Sequence, residues 1–376
     1  MIEPSPSPRR RWWPLLLVIL IIVLAGGWSA VWYYGADALA RTIDGWKMRE
    51  AQEGRAYSCA RQEISGFPFG ARLRCGDFNA ELTSTRPPFV AKAKELLVSG
   101  SLLNPTVLRG ELVGPLTIAE PGRAPEVAVR WREAHVQARG LPTSPEQVTI
   151  TFEEPVADRA PDDGTNYFKA GRVHVVGRML SGTVRENPVI EITVKLVAAA
   201  APYWHTAAAT PTDADLTFVI RGLKDFAPKP WPVRFRELQA ADGRIEVKNA
   251  RVQQGETIAV AEGALGLSPA GGLDGQLRLT VANLDKLMPA LGLDRLLAQQ
   301  GERNRLSSTL DALDRLVPGL GNLARQNAGP MIVAGVNLMG QQTELEGRRA
   351  VALPLRFNDG AVSLGPLPIG QVPPLF

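Results

Sequence analysis

Two cysteines and three histidines are the residues best suited to chemistry in this 376-residue chain. Cys59 and Cys75 form an even count, consistent with one disulfide in an exported segment. A metal or redox pair would need Cys-x-x-Cys spacing or neighbouring histidines, and His135, His174 and His205 lie far off in sequence. A structural disulfide is therefore the favoured reading. Paired acids occur at Glu153-Glu154 and Asp162-Asp163. The first pair leads into Pro155 and the second lies between Pro161 and Gly164, so solvated loops account for both. Acid/base work would require a pocket that fixes the carboxyl separation. The chain has no Gly-x-Ser-x-Gly elbow, no phosphate-binding Gly-Lys-Ser/Thr loop and no His-Glu-x-x-His helix. No catalytic, cofactor-binding or metal-ligating residue is assigned, and no cofactor is expected. The net charge of +4 comes from interleaved acids and bases, which gives no clustered basic face for nucleic acid.

The element that must position everything else is the apolar stretch 12–34, WWPLLLVILIIVLAGGWSAVWYY, which carries no charge. A helix of about 20 apolar residues spans a bilayer core. Arg9, Arg10 and Arg11 precede it, while Trp12, Trp13, Trp28, Trp32, Tyr33 and Tyr34 crowd its two ends. Basic residues stay cytoplasmic and these rings favour the headgroup level. The expectation is a single-pass inner-membrane anchor with residues 1–11 as a cytoplasmic tail and the body in the periplasm. Cleavage as a signal peptide is the competing reading, since Ala36-Asp37-Ala38 and Ala38-Leu39-Ala40 fit the small-x-small rule. The long core and the bulky aromatics before those sites favour an uncleaved anchor. Residues 35–54 space Ala36, Leu39, Ile43 and Trp46 at near-helical intervals, predicting a helical stalk.

From Tyr57 onward the apolar period is two. Ala71, Leu73 and Cys75 alternate with Arg72 and Arg74, and Val148, Ile150 and Phe152 alternate with Thr149 and Thr151. Such alternation marks strands with one buried face. The tetrapeptide Gly66-Phe67-Pro68-Phe69 predicts a turn or bulge that presents two aromatics and closes one end of a core. Pro-rich joints at 142–145, 155–161 and 228–232 separate the strands, with a sub-boundary expected near 225–241. A Gly-punctuated meander follows over 242–281. Leucine stripes within 284–327 predict two short helices, read as core-facing with lipid contact as the sharper alternative. Strands close the chain, with Asn358-Asp359-Gly360 as a hairpin turn. The fold class expected is mainly β (α+β): a transmembrane helix, then a large antiparallel, curved or barrel-like body over 55–376 with a few short helices.

Trp32-Tyr33-Tyr34-Gly35-Ala36, Gly66-Phe67-Pro68-Phe69, the Cys59/Cys75 pair and Gly365-Pro366-Leu367-Pro368-Ile369-Gly370 resemble a bacterial family known as domain of unknown function 2125. That resemblance implies one N-terminal span and an exported body, and it carries no activity. A looser similarity, to the AsmA-like periplasmic proteins, rests on the anchor, the meander 242–281 with its Leu-rich sequel, and the ending from Asn358 to Pro366. It implies a β-groove with an apolar lining that handles lipid. The expected function is therefore lipid, or another apolar envelope component, bound in a β-groove. The alternatives are an envelope scaffold that docks a protein partner and a hydrolase without a recognised motif.

Overall fold

The computed structural model describes residues 12–85, 87–141, 145–204, 206–227, 229–283, 340–365 and 367–376. The tail 1–11, His205 and the leucine stripes of 284–327 lie outside the described residues.

Helix α1 (Trp13–Gln52) is 40 residues long with none of them buried. Pro14 falls in its first turn, where the missing amide hydrogen has no partner to lose. Its apolar window has a mean hydropathy of 2.5, so by length and composition it can cross a membrane. The expected span and stalk form one uninterrupted rod, which stops just before Gly54 at a φ of +76°.

All the described strands belong to one antiparallel sheet. Strands β1 (Arg55–Ser58) and β2 (Arg61–Ser65) share one edge of β3 (Gly70–Leu82), which pairs onward with β4 (Phe89–Ser101) and then β5 (Asn104–Ala119). The next three columns are long strands broken once each. They are β6 (Val127–Arg130) with β7 (Glu133–Arg139), β8 (Gln147–Glu153) with β9 (Val156–Arg159), and β10 (Asn166–Lys169) with β11 (Arg172–Thr183). Proline explains the second break: Pro155 has no amide hydrogen to give to the ladder. The meander continues through β12 (Glu186–Ala199), β13 (Thr212–Arg221), β14 (Arg244–Gln254), β15 (Thr257–Leu267) and β16 (Leu273–Ala282) to β18 (Arg348–Asn358). β17 (Gln341–Leu345), β19 (Ala361–Leu364) and β20 (Leu367–Gln371) finish the far edge.

The two edges do not meet, so the sheet is open and the barrel-like form of the expectation is corrected. Ile220 pairs directly with Ile245, so the sheet continues across the insertion that contains residues 225–241. The insertion carries α2 (Trp231–Ala240), with Pro232 in its first turn and Leu238 buried.

Two glycines inside strands hold backbone conformations that a side chain would strain. Gly263 (φ +145°) and Gly275 (φ +136°) occupy mid-strand positions in β15 and β16. A Cβ on Gly263 would press on the Gln276 carbonyl and come within 2.9 Å of Leu277 Cα. Gly263→Ala is therefore expected to destabilise the body by about 2 kcal/mol, measured by denaturant unfolding in detergent. An unchanged midpoint would show that this position tolerates a side chain.

Candidate functional site

Among the described residues, those that could do chemistry are spoken for by structure. Cys59 and Cys75 are joined, with Cα atoms 5.2 Å apart. Cys75 is 1% exposed, and the bond ties the β1–β2 connection to β3. His135 lies 3.2 Å from Glu133, and His174 Nδ1 lies 2.9 Å from the Thr151 hydroxyl. Glu153 pairs with Arg172 at 2.6 Å and Glu154 with Arg132 at 2.9 Å. Asp162 accepts the Gly164 amide, and Asp163 is held down to about 2 chiefly by the Thr165 hydroxyl and then by Arg159. Among the described residues no three metal-ligating side chains cluster. The other strong ionic group braces the start of α2. Lys229 bridges Asp225 at 2.9 Å and Glu237 at 2.8 Å, which lowers the Asp225 carboxyl and raises the ammonium.

Helix α1 is docked onto the body. Trp28 Nε1 donates to the Pro68 carbonyl at 3.0 Å and Trp32 Nε1 to that of Gly70 at 2.9 Å. Trp32 also meets Phe67 edge-on, with ring centroids 5.6 Å apart, while Tyr33 stacks on the same ring. Farther along α1, Trp46 stacks on Tyr57 at 5.1 Å and Glu50 binds Arg55 at 2.6 Å. Burial, then the Glu50 charge, raises the Tyr57 phenol, and the Glu50 bond raises the 7%-exposed Arg55. Gly66–Phe69, expected to close a core, is thus a turn clamped to the helix. Each Trp donation is worth about 1 kcal/mol. Replacing both rings, Trp28→Phe with Trp32→Phe, is expected to raise amide exchange at Gly66–Gly70 by about tenfold or more. Unchanged exchange would mean that the clamp lies elsewhere.

The most distinctive surface is made by register. One row of cross-strand neighbours reads Leu73, Val98, Gly110, Val136, Ile150, Val175, Val194, Leu216, Ala250, Ala261, Leu279, Leu353. It crosses twelve strands without a polar side chain. The row two residues along reads Ala71, Gly100, Leu108, Ala138, Val148, Gly177, Ile192, Phe218, Val247, Gly263, Leu277, Leu355, again all apolar. With strands about 4.8 Å apart, each row is roughly 50 Å long. The row that flanks the first on its other side, on the opposite face, includes Arg74, Glu111, His135, Thr151, His174, Lys195, Asp215 and Arg251. Alternation within every strand and matched register between strands therefore sort the sheet into an apolar face and a polar one.

The apolar face is not a closed core in the middle of the sheet. No residue of β8 is buried, and Val136 and Leu108 are 39% and 37% exposed. Burial on both faces is reached toward the far edge, where Val281 and Ala282, then Ala350 and Val351, are all 5% exposed or less. Two depressions lie on the polar side: one of about 560 Å³ bordered by Glu246, Lys248, Glu262 and Arg278, the other of about 570 Å³ bordered by Arg109, Gln137 and Arg139. Their charged walls do not suit an acyl chain.

No curated protein and no solved structure matches the chain, and the looser likeness to AsmA-like proteins finds no support in these comparisons. A family model does match, over residues 32–373, under the description of an uncharacterised protein conserved in bacteria. That match takes in α1 from Trp32 onward and the whole described sheet, and the chain belongs to this bacterial family, domain of unknown function 2125.

Proposed function

We propose that this chain is a membrane-anchored protein of the cell envelope that takes lipid acyl chains onto the apolar face of its sheet. The observation that carries the reading is the pair of apolar rows that cross twelve strands and stay partly exposed from β3 to β15. Monomeric soluble proteins seldom leave a contiguous apolar surface of this extent without an occupant. An acyl chain has the shape for such a strip, and it needs no hydrogen-bonding partner. A chain leaving a bilayer is already in hydrocarbon, so the face need only match the bilayer interior. Reversible loading follows from that near balance. The orientation proposed puts Arg9–Arg11 in the cytoplasm and the sheet in the periplasm, on the rule that basic flanks stay inside. The Cys59–Cys75 bond suits that oxidising compartment.

Mass spectrometry of lipids extracted from the detergent-free body, residues 35–376, tests the reading. Stoichiometric phospholipid is the expected result. A folded body that carries none would refute it and assign the face to a protein partner.

A further inference from the structure

The anchor fixes where one corner of the sheet sits. Trp28 and Trp32 lie within the uncharged stretch of α1, and the first charge beyond it is Asp37. At 1.5 Å per residue, Trp28 is about 9 Å closer to the bilayer centre than Tyr34. The turn bonded to those two rings must share their depth. Beside that turn lies the β4–β5 hairpin, whose Leu102 amide donates to the Phe69 carbonyl at 2.9 Å. Phe67, Phe69, Leu102 and Leu103 are 49%, 59%, 51% and 83% exposed. No charged residue occurs from Ser65 to Ala71 or from Leu96 to Leu108. The β5–β6 turn, at the opposite end of the strands, carries Glu120, Arg123 and Glu126 instead. Four exposed apolar side chains on charge-free turns, held at the depth of interfacial tryptophans, match a headgroup layer and the acyl carbons beneath it.

We propose that the corner formed by Phe67, Phe69, Leu102 and Leu103 is a second membrane contact, inserted into the leaflet that faces the body. It rests on α1 crossing the bilayer and is independent of whether the sheet carries lipid. Its consequence is orientation: with α1 and this corner both engaged, the strand ends at Gly70 and Ser101 stand at the membrane surface. The apolar face then begins at the bilayer, with Ala71 and Gly100 as its first row.

The test uses the full chain in phosphatidylethanolamine/phosphatidylglycerol vesicles. The chain's two cysteines are disulfide-bonded, so one added thiol takes one spin label. Labels at Leu103→Cys, Phe69→Cys, Ile21→Cys and Arg123→Cys are compared by collision with oxygen and with a water-soluble nickel complex. The oxygen-to-nickel ratio at positions 103 and 69 is expected to exceed that at 123 by about threefold or more, approaching position 21. A membrane-like ratio at 21 with water-like ratios at 103 and 69 would overturn the proposal while leaving the anchor intact. A water-like ratio at 21 would remove the anchor and the proposal together.

Discussion

Carboxylates placed at Leu108 and Val136 are expected to strip the body of lipid. Both positions lie on the apolar face, on neighbouring strands, and are more than a third exposed. A glutamate there keeps its water in the empty protein, so Leu108→Glu with Val136→Glu is expected to lower stability by only about 1 kcal/mol. An acyl chain laid across it would have to dehydrate the charge, at a cost of several kcal/mol. Each 1.4 kcal/mol is a factor of about ten in occupancy, so lipid recovered with the body should fall at least tenfold. Gln137→Glu places a carboxylate on the opposite face and should leave lipid content unchanged. Equal lipid in all three proteins would show that the face is not where lipid sits.

The second large effect concerns the disulfide. Cys59–Cys75 closes a loop of 16 residues in sequence separation, which corresponds to about 3 kcal/mol of stabilisation in the loop-closure account. Replacing both by serine should lower the melting temperature by roughly 4–5 °C for a body of this size. Reduction of the wild-type chain should do the same. The loss should concentrate at β1, β2 and the Gly66–Phe69 turn, because the bond pins to β3 the edge on which α1 docks. A shift of about 1 °C or less would mean that pairing with β3 already holds that edge.

Much of this architecture is legible in the residues, and what is not has a physical reason. The alternation at Leu73/Cys75 and at Val148/Ile150/Phe152 marks a one-sided strand before any coordinates are seen. The uncharged stretch 12–34 likewise announces a membrane-length helix. Alternation alone, however, says only that one face of each strand is apolar. That twelve such faces fall in line depends on register, set by hairpins such as Ser101–Asn104 and by breaks such as Pro155, and no single strand encodes it. A closed core and an open apolar face share the same pattern, so the barrel-like expectation and the observed open sheet look alike in sequence. Pro228–Pro232 reads as a joint, yet Pro232 starts α2; proline in a first helical turn was the available signal. Gly66–Phe69 shows its turn but not its partner, because the tryptophans that clamp it stand about 40 residues earlier. Leu102 and Leu103 become notable only once that clamp fixes their depth.

The most direct test of lipid on the sheet is photocrosslinking in the native membrane. Cells expressing the full chain are fed a diazirine-bearing fatty acid that enters their phospholipids, then irradiated, and the adducts are mapped by peptide mass spectrometry. Acyl adducts on the apolar-face residues of β8, β11 and β12, such as Ile150, Val175 and Val194, are the predicted result. Those strands stand well away from the anchor across the sheet, so bilayer contact alone does not label them. Adducts confined to α1 and the Gly66–Phe69 corner would contradict lipid binding by the sheet.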